Sequence, residues 1–384
     1  MRSAVERLGA WMSTGTHRGT VVFSGGGTGG HVFPGLAVAE ELRTRGWDAA
    51  WIGRRGSLEE RLVASAGVDF RAMPARPFVD RGGAQRAVAL AVLLLSTLRA
   101  AALLRRFRAA LVFATGGYVC APAALASRLH GCGLYLLEPN AESGSANRTL
   151  SRFATEAGVA FESAAGGLAC EARLVGVPVR RAFREIDELR LAGDRVRILV
   201  LGGSQGSDAL NRHLPGLFAR AAGPDQVEVT HQSGPASVDE TRERYREVAT
   251  PGLSSTVTGF IQDTAGAMQA HDLIVSRAGA VTVAEIAAAG RPAVYVPLPM
   301  AAGHQRGNAG AMVEAGAAIL VEQEELRDEA AAERCARLFG DRERLLAMAR
   351  TARGLSRNDA ATDIAARVCE IAERGVSRRR RRAG

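Results

Sequence analysis

The stretch Thr20-Val21-Val22-Phe23-Ser24-Gly25-Gly26-Gly27-Thr28-Gly29-Gly30-His31, followed by Leu36-Ala37-Val38-Ala39-Glu40-Glu41-Leu42, decides the fold. A short β-branched, apolar run enters a glycine cluster and leaves it with helical spacing of apolar residues. That is strand, Gly loop, helix, the opening of a Rossmann-like unit. The same grammar returns at Val196 to Leu201, then Gly202-Gly203-Ser204-Gln205-Gly206-Ser207, then a helical pattern over Asp208 to Phe218. Further strands are expected at Asp48–Ile52, Ala110–Ala114, Leu134–Leu137, Val227–His231, Leu273–Ser276 and Ala293–Val296, alternating with helical patterns such as Val281 to Ala289. Strands alternating with helices imply parallel sheets joined by right-handed crossovers.

The expected fold class is α/β, with two Rossmann-like domains whose parallel sheets face each other across a cleft. The boundaries read as 19–178 for the first domain, 195–350 for the second, and 351–384 for a C-terminal helix and basic tail. The polar stretch Arg184 to Arg195 serves as linker, and the helical segment Glu333 to Glu373 packs back across the boundary. Residues 1–18 read as an extension before the first strand.

Length and composition fit this picture. The chain has 384 residues, enough for two domains each with its own core, and the 47% apolar to 23% charged balance is that of a globular protein. The five cysteines, Cys120, Cys132, Cys170, Cys335 and Cys369, are odd in number and widely spaced, which argues against a disulfide framework or zinc site. No charged-then-apolar leader is seen, so a cytosolic setting is expected.

The net charge is +9 and every basic residue is Arg. It suits an anionic substrate, an anionic membrane surface or nucleic acid. With aromatics at 5% and none interleaved with the arginines, nucleic acid is not expected as a partner. The Arg378–Arg382 run reads as a solvated tail. The apolar segment Ala87–Leu98 is shorter than the roughly 20 residues a membrane span needs. It is a buried helix, one that partly faces a membrane, with Arg86, Arg99, Arg105, Arg106 and Arg108 near the headgroups, or a true span.

Both Gly loops suit an anion, because helix-start N–H groups and the helix dipole favour negative charge. A dinucleotide fits the first loop less well. The second strand ends Trp51-Ile52-Gly53-Arg54-Arg55, without the acid that grips a ribose, although Arg54 leaves an NADP variant open. A Walker A loop is excluded, since it needs Lys. His31 at a helix start is expected to be neutral there and able to take a proton. Gly116-Gly117-Tyr118 ends a strand on the edge where α/β ligands bind, or is a simple turn. Ser276-Arg277-Ala278-Gly279-Ala280-Val281-Thr282-Val283-Ala284-Glu285 forms a third anion-ready helix start. Its Glu285 is either a ribose-gripping carboxylate or a helix-capping acid.

GGGTGGHVFPGLAVAEEL, TGGYV, VGVPVR, LGGSQGS with Asn211, RAGAVTVAEIAAAGRPAVYVPLP and HQRGNA occur in that order between Val21 and Gly316. Together they resemble the MurG family, the bacterial UDP-N-acetylglucosamine transferases of peptidoglycan synthesis, of the glycosyltransferase family 28 type and GT-B fold. The resemblance implies inverting transfer of N-acetylglucosamine from UDP to the 4-hydroxyl of undecaprenyl-diphospho-N-acetylmuramoyl-pentapeptide, with no metal and no cofactor. It implies that Thr28, Gly29, Gly30, Asn140 and Arg180 contact the donor and that Ser204 meets the diphosphate. Ile261 would meet the uracil, Ala280, Val281, Thr282, Val283, Ala284 and Glu285 the diphosphate and ribose, and Gln305 the N-acetylglucosamine.

His31 and Tyr118 match acceptor-side residues. The catalytic candidates are His31, as general base, Tyr118 and Glu285, the last of which could replace His31. The chain departs from the family at Leu137-Glu138-Pro139-Asn140, where His-Glu-Gln-Asn is usual, and at Gly176-Val177-Pro178-Val179-Arg180, where Gly-Asn-Pro-Val-Arg is usual. A lipid-linked acceptor implies a peripheral enzyme at the cytoplasmic face of the membrane, touching anionic lipid. Rival readings are another GT-B enzyme, such as a glycolipid glycosyltransferase or sugar-nucleotide epimerase, and a non-catalytic sugar-nucleotide-binding protein.

Overall fold

A computed structural model of the chain describes residues 18–74, 83–223, 227–299 and 302–383. The N-terminal extension 1–17 lies outside the described residues, as do the side chains of Arg86 and of the Arg378–Arg382 run. The chain divides into two compact units, one of residues up to Arg180 together with those from Asn358 onward, the other Arg181–Arg357.

The first unit is built on a seven-stranded sheet, β1 (Thr20–Ser24), β2 (Asp48–Arg54), β3 (Asp69–Met73), β4 (Ala109–Ala114), β5 (Gly133–Glu138), β6 (Glu156–Val159) and β7 (Ala172–Leu174). Their order is β3-β2-β1-β4-β5-β6-β7, and every neighbouring pair is parallel. Alternation along β1 divides its side chains between two faces. Val21 and Phe23 join one core with Trp51, Phe113 and Tyr135, while Val22 joins the other with Ile52, Val112 and Ala114. On the first face the aromatic rings stand in register across four strands. Trp51 pairs with Phe23, Phe23 with Phe113, and Phe113 with Tyr135, at centroid separations of 5.7, 5.0 and 5.4 Å. Such pairs contribute roughly 0.5–1.5 kcal/mol each beyond burial.

Helix Gly29–Thr44 covers this face beside the last helix, Ala360–Ala383, whose Ile364, Ala365, Val368 and Ile371 complete the core. The chain thus returns to its first domain at its end. On the opposite face lies helix Gly83–Arg106, which buries Ala100, Ala101 and Leu104.

The second unit repeats the plan with six strands, β8 (Val196–Leu201), β9 (Val227–Gln232), β10 (Leu253–Thr258), β11 (Leu273–Ser276), β12 (Ala293–Tyr295) and β13 (Ala318–Leu320), in the order β10-β9-β8-β11-β12-β13. All five neighbouring pairs are parallel. The stretch Arg184–Arg195 leans on this unit: Ile186 is buried, and the carbonyls of Ile186 and Asp187 accept from Arg353 and Arg291.

Strand order reverses between β1 and β4 in one sheet and between β8 and β11 in the other. Connections depart in opposite directions at such a point and leave a crevice at the carboxyl ends of the two strands, where α/β proteins bind ligands. The two Gly loops follow β1 and β8. Gly116-Gly117 follows β4, and Arg277-Ala278-Gly279 follows β11. The motifs at Gly25–Gly30, Gly116–Gly117, Gly202–Gly206 and Gly279 therefore lie at switch points, whereas Gly176 of Val175-Gly176-Val177-Pro178 follows the edge strand β7.

Candidate active site

In the first domain the loop Gly25–Thr28 is braced from below. Trp51 Nε1 donates to the Gly25 carbonyl at 3.2 Å, and the buried Glu59 carboxylate accepts from the backbone N–H groups of Gly27 and Arg54 at 3.3 and 3.2 Å. Only glycine fits at position 25, where a Cβ would come within 1.8 Å of Thr115 Oγ1. Glu59 had no role in the sequence reading. It fills the corner beneath the loop and already holds two backbone N–H groups there.

Helix Gly29–Thr44 then starts with no acid in its first turn, and its N-cap Thr28 makes no side-chain cap hydrogen bond. Thr28, Gly29 and Gly30 therefore offer a hydroxyl and helix-start N–H groups to an anion.

His31 stands in that first turn and is half-buried. Its Nδ1 lies 2.8 Å from the Thr115 carbonyl. A carbonyl can only accept, so Nδ1 carries the proton and Nε2 keeps its lone pair. Burial lowers the imidazole pKa from its ordinary value, outweighing the Thr115 carbonyl and the Glu138 and Glu59 carboxylates, which raise it. That direction agrees with the neutral imidazole expected here, but desolvation is the leading cause and the helix N-terminus is not among the causes.

Gly116 and Gly117, at φ 96° and 75°, lay the next loop against this ring. At Gly117, whose positive φ already disfavours a side chain, a Cβ would be tight at 3.0 Å from the Gly26 carbonyl and in ordinary contact at 3.6 Å from His31 Nε2. Tyr118, half-buried, opens the short 3-10 turn Tyr118–Cys120 directly after it.

Asn140 is held through Glu138. That buried carboxylate accepts from Asn140 N and Nδ2 at 3.1 and 3.0 Å, from Gly144 N at 2.8 Å and from Asn147 Nδ2 at 2.9 Å. Asn147 in turn lies beside Gly116, so His31, Gly116, Asn147, Glu138 and Asn140 form one connected patch. Pro139 supplies no N–H, and the donors from residues 140, 144 and 147 set this loop. Arg180 places its guanidinium 4.2 Å over the Phe33 ring, on the helix that carries His31.

The second domain assembles the other candidates. Ser204 is exposed at the tip of the Gly202–Ser207 loop. Helix Asp208–Ala221 follows with Asp208 in its first turn, which opposes an anion there, whereas helix Ala280–Ala288 starts at Gly279 with no first-turn acid. Of the two, the Ala280 start is the better electrostatic seat for a diphosphate.

Within that helix Ala280, Val281, Val283 and Glu285 are buried, and Thr282 and Ala284 are half-buried. Glu285 is not in the first turn, so it is not the capping acid that was its alternative reading. Gln305 accepts through Oε1 from Leu298 N at 3.1 Å, which turns that face of its amide toward the 298 loop. Ile261 follows the end of β10, half-buried beside the exposed Phe260.

Two bracing residues were quoted within sequence motifs but given no role. Arg277 donates to Ser207 Oγ at 2.9 Å, to the Val296 and Pro297 carbonyls at 3.1 and 3.0 Å, and to Gln323 Oε1 at 2.7 Å, so one guanidinium ties three loops of this edge together. The buried Asn308 donates to the Ala278 carbonyl at 3.2 Å.

Comparison with known proteins agrees with this geometry. Residues 21–159 match the glycosyltransferase family 28 N-terminal domain and residues 197–367 its C-terminal domain. The chain is 42% identical, over 361 residues, to a UDP-N-acetylglucosamine–N-acetylmuramyl-(pentapeptide) pyrophosphoryl-undecaprenol N-acetylglucosamine transferase of Halorhodospira halophila, covering 93% of this chain and 99% of that one. Among solved structures it is similar to MurG of Acinetobacter baumannii, with a TM-score of 0.74, 31% identity, and coverage of 91% of this chain and 99% of that one. A UDP-N-acetylglucosamine 2-epimerase, at 14% identity, a TM-score of 0.61 and coverage of 90% and 94%, shares the fold alone. The chain therefore belongs to glycosyltransferase family 28, in its MurG branch, and is a two-domain glycosyltransferase of the GT-B fold.

Proposed function

We propose that this glycosyltransferase transfers N-acetylglucosamine from UDP-N-acetylglucosamine to the 4-hydroxyl of a lipid-linked N-acetylmuramoyl-pentapeptide, the lipid I to lipid II step of peptidoglycan synthesis. The single observation that carries the mechanism is the His31 imidazole, tethered through Nδ1–H to Thr115 with a free lone pair on Nε2. In this reading the acceptor hydroxyl gives its proton to Nε2 as its oxygen attacks the anomeric carbon. The bond from that carbon to the UDP oxygen breaks on the opposite face, so configuration inverts. A positioned base of this kind contributes roughly 10²–10⁴-fold. The departing diphosphate meets helix-start N–H groups at Ala280 and the hydroxyl of Ser204, and such dipoles stabilise developing charge without reorganising. Glu285 grips the ribose, Ile261 the uracil and Gln305 the sugar, while Tyr118, Asn140 and Arg180 complete the first domain's share.

The acceptor's lipid remains in the bilayer, so the enzyme must work at the cytoplasmic membrane face. Helix Gly83–Arg106 supports that setting. Its segment Val88–Arg106 has a mean hydropathy of 1.9, yet only 33% of it is buried. Leu90, Leu94 and Leu98 recur every four residues on the exposed side, with Val88 and Leu95 beside them, and Arg99, Arg105, Arg106 and Arg108 are exposed nearby. An apolar stripe flanked by arginines fits a surface of acyl chains and anionic headgroups. Leu94→Glu with Leu98→Glu is expected to abolish co-sedimentation with anionic vesicles while UDP binding survives. Equal loss of both would mean the face is structural.

Incubation of the purified protein with UDP-N-acetylglucosamine and the lipid-linked acceptor tests the reaction. Disaccharide–pentapeptide product supports it, isomerised UDP-sugar would support an epimerase, and binding without turnover would support a carrier.

A further inference from the structure

Behind the donor loop of the second domain runs a buried chain of side chains that no contact with substrate requires. His231, near the end of β9, is fully buried. Its Nδ1 lies 3.0 Å from the Tyr245 hydroxyl and its Nε2 lies 3.1 Å from Asn211 Oδ1. Asn211 Nδ2 donates to the Ser233 carbonyl at 2.8 Å. These contacts leave one consistent arrangement of protons. The Asn211 amide nitrogen serves a carbonyl, so the Asn211 oxygen faces His231 and can only accept. His231 therefore carries its proton on Nε2, and the Tyr245 hydroxyl donates to the bare Nδ1. Every bond in the relay has a fixed direction, from Tyr245 to His231 to Asn211 to Ser233. Burial pushes the imidazole pKa down to about 3, so the ring stays neutral in this role.

The relay ends on the Gly202–Ser207 loop. A Cβ on Gly206 would come within 1.9 Å of the Ser233 carbonyl oxygen, and one on Gly234 within 2.3 Å of the Gln205 carbonyl oxygen. Gln232 Nε2 donates to the Gly203 carbonyl at 3.0 Å, and Gly202 N donates to the Gln232 carbonyl at 3.3 Å. Segment 232–234 and the Gly loop are thus packed backbone on backbone at Gly206 and Gly234, with the Gln232 side chain tied to Gly203 beside them. Moving the Ser233 carbonyl moves the loop that presents Ser204.

We propose that His231, in its neutral Nε2–H tautomer, is a positioning residue for the donor diphosphate, setting the Gly202–Ser207 loop through Asn211 and the Ser233 carbonyl. The inference deepens the proposed function and rests on the assignment of Ser204 to the diphosphate. His231 itself touches no substrate, and its effect is on donor affinity, not on the proton transfer at His31.

Three variants and one spectrum test it. In His231→Leu the buried Asn211 oxygen loses its donor, whereas in His231→Gln the side-chain amide can still donate to it. Tyr245→Phe removes only the far end of the relay. His231→Leu is expected to raise the KM for UDP-N-acetylglucosamine and the Kd for UDP by roughly twofold to thirtyfold, the range by which residues acting through a packed network shift a distant site. Its kcat at saturating donor should stay close to wild type. His231→Gln should recover most of the affinity, and Tyr245→Phe should give a smaller loss than His231→Leu. Nitrogen-15 NMR of the wild-type imidazole should show a protonated Nε2 and a bare Nδ1 at neutral pH.

A folded His231→Leu protein with wild-type UDP affinity, or an Nδ1–H tautomer in the spectrum, overturns the inference. Should His231→Leu not fold, a Tyr245→Phe or His231→Gln protein whose donor KM departs from this order overturns it equally, and the spectrum needs no variant. A wild-type protein that binds no UDP would instead overturn the donor assignment on which the inference rests.

Discussion

In the first domain the loop after β1 is gripped by side chains: Trp51 from the neighbouring strand, Glu59 from the helix beyond it, and Thr115 packed against Gly25. In the second domain the equivalent loop after β8 adds backbone contact to side-chain bonds: Gln232 and Arg277 hold Gly203 and Ser207, and the Ser233 and Gln205 carbonyls fill the space where Gly206 and Gly234 would carry side chains. The helices that follow differ as well. The first begins without acid and carries His31 in its opening turn, while the second begins at Asp208 and leaves the exposed Ser204 in the loop before it. One structural grammar thus serves two chemistries. In the proposed function the first loop, braced by side chains, holds the imidazole against a carbonyl, and the second, packed closely on backbone, exposes its tip to the donor's phosphates.

The sharpest way to break this comparison is at His31. His31→Ala should lower kcat by roughly 10²–10⁴-fold with little change in UDP affinity, measured by steady-state turnover alongside UDP titration. Because burial lowers its pKa and the proposed base must be neutral to accept a proton, the acid limb of kcat/KM should fall below the ordinary histidine value of 6.5. A limb at or above that value would remove His31 as the base.

Next in size are the two glycines excluded by space. Gly25→Ala and Gly206→Ala each force a Cβ into contact under 2 Å, and overpacking of this kind costs about 1–3 kcal/mol. Chemical denaturation followed by UDP titration should separate them. Gly206→Ala should weaken UDP binding, and Gly25→Ala should impair turnover while the donor still binds. Identical profiles for the two would erase the proposed division between the loops.

Acid stability follows from the histidines behind and within the loops. The folded pKa of His231 lies at about 3 and that of His31 is lowered, against an ordinary value of 6.5. As pH falls below 6.5 the unfolded chain takes up protons that the folded chain refuses, so stability is full above that pH and drains away below it. The slope is at most about 1.4 kcal/mol per pH unit for each such group and ends at its folded pKa. Urea midpoints at about pH 7.5 and about pH 5 check the sign, and His231→Gln should flatten the slope.

The smallest effect is expected at Asp208. Its carboxylate opposes an anion at the second loop's helix start, so Asp208→Asn should tighten UDP binding by roughly two- to fivefold at low salt. Unchanged affinity would indicate that this helix start does not sense the diphosphate.

The central strands were legible because they are buried on both faces. Thr20–Ser24, Val196–Leu201 and Leu273–Ser276 read as apolar runs with their observed bounds. The edge strands were not. β3, β7, β10 and β13 close the four edges of the two sheets, and each carries half-buried or exposed residues, as in Leu253-Ser254-Ser255-Thr256-Val257-Thr258. Without apolar continuity or strict alternation, such segments carry little periodic signal. β6 was missed for a different reason: Glu156-Ala157-Gly158-Val159 is buried but contains an acid and a glycine, so it does not read as an apolar run.

The family resemblance named Ser204 and Gln305, while amino-acid order alone determined that this chain repeats strand, Gly loop and helix, that both loops suit an anion, and that His31 and Glu285 belong to candidate sites. Those are local statements, set by φ freedom, helix periodicity and the dipole of a helix start. Tertiary structure decided what lies behind the loops. Glu59 gathers two backbone donors and Glu138 four, Arg277 ties Ser207 to the 296–297 loop, and His231 faces Asn211 from 20 residues away. It also fixed the proton of His31 on Nδ1 through Thr115, 84 residues distant. The pairing of a buried polar group depends on which distant strand ends next to it, and sheet order, not local spacing, sets that neighbour.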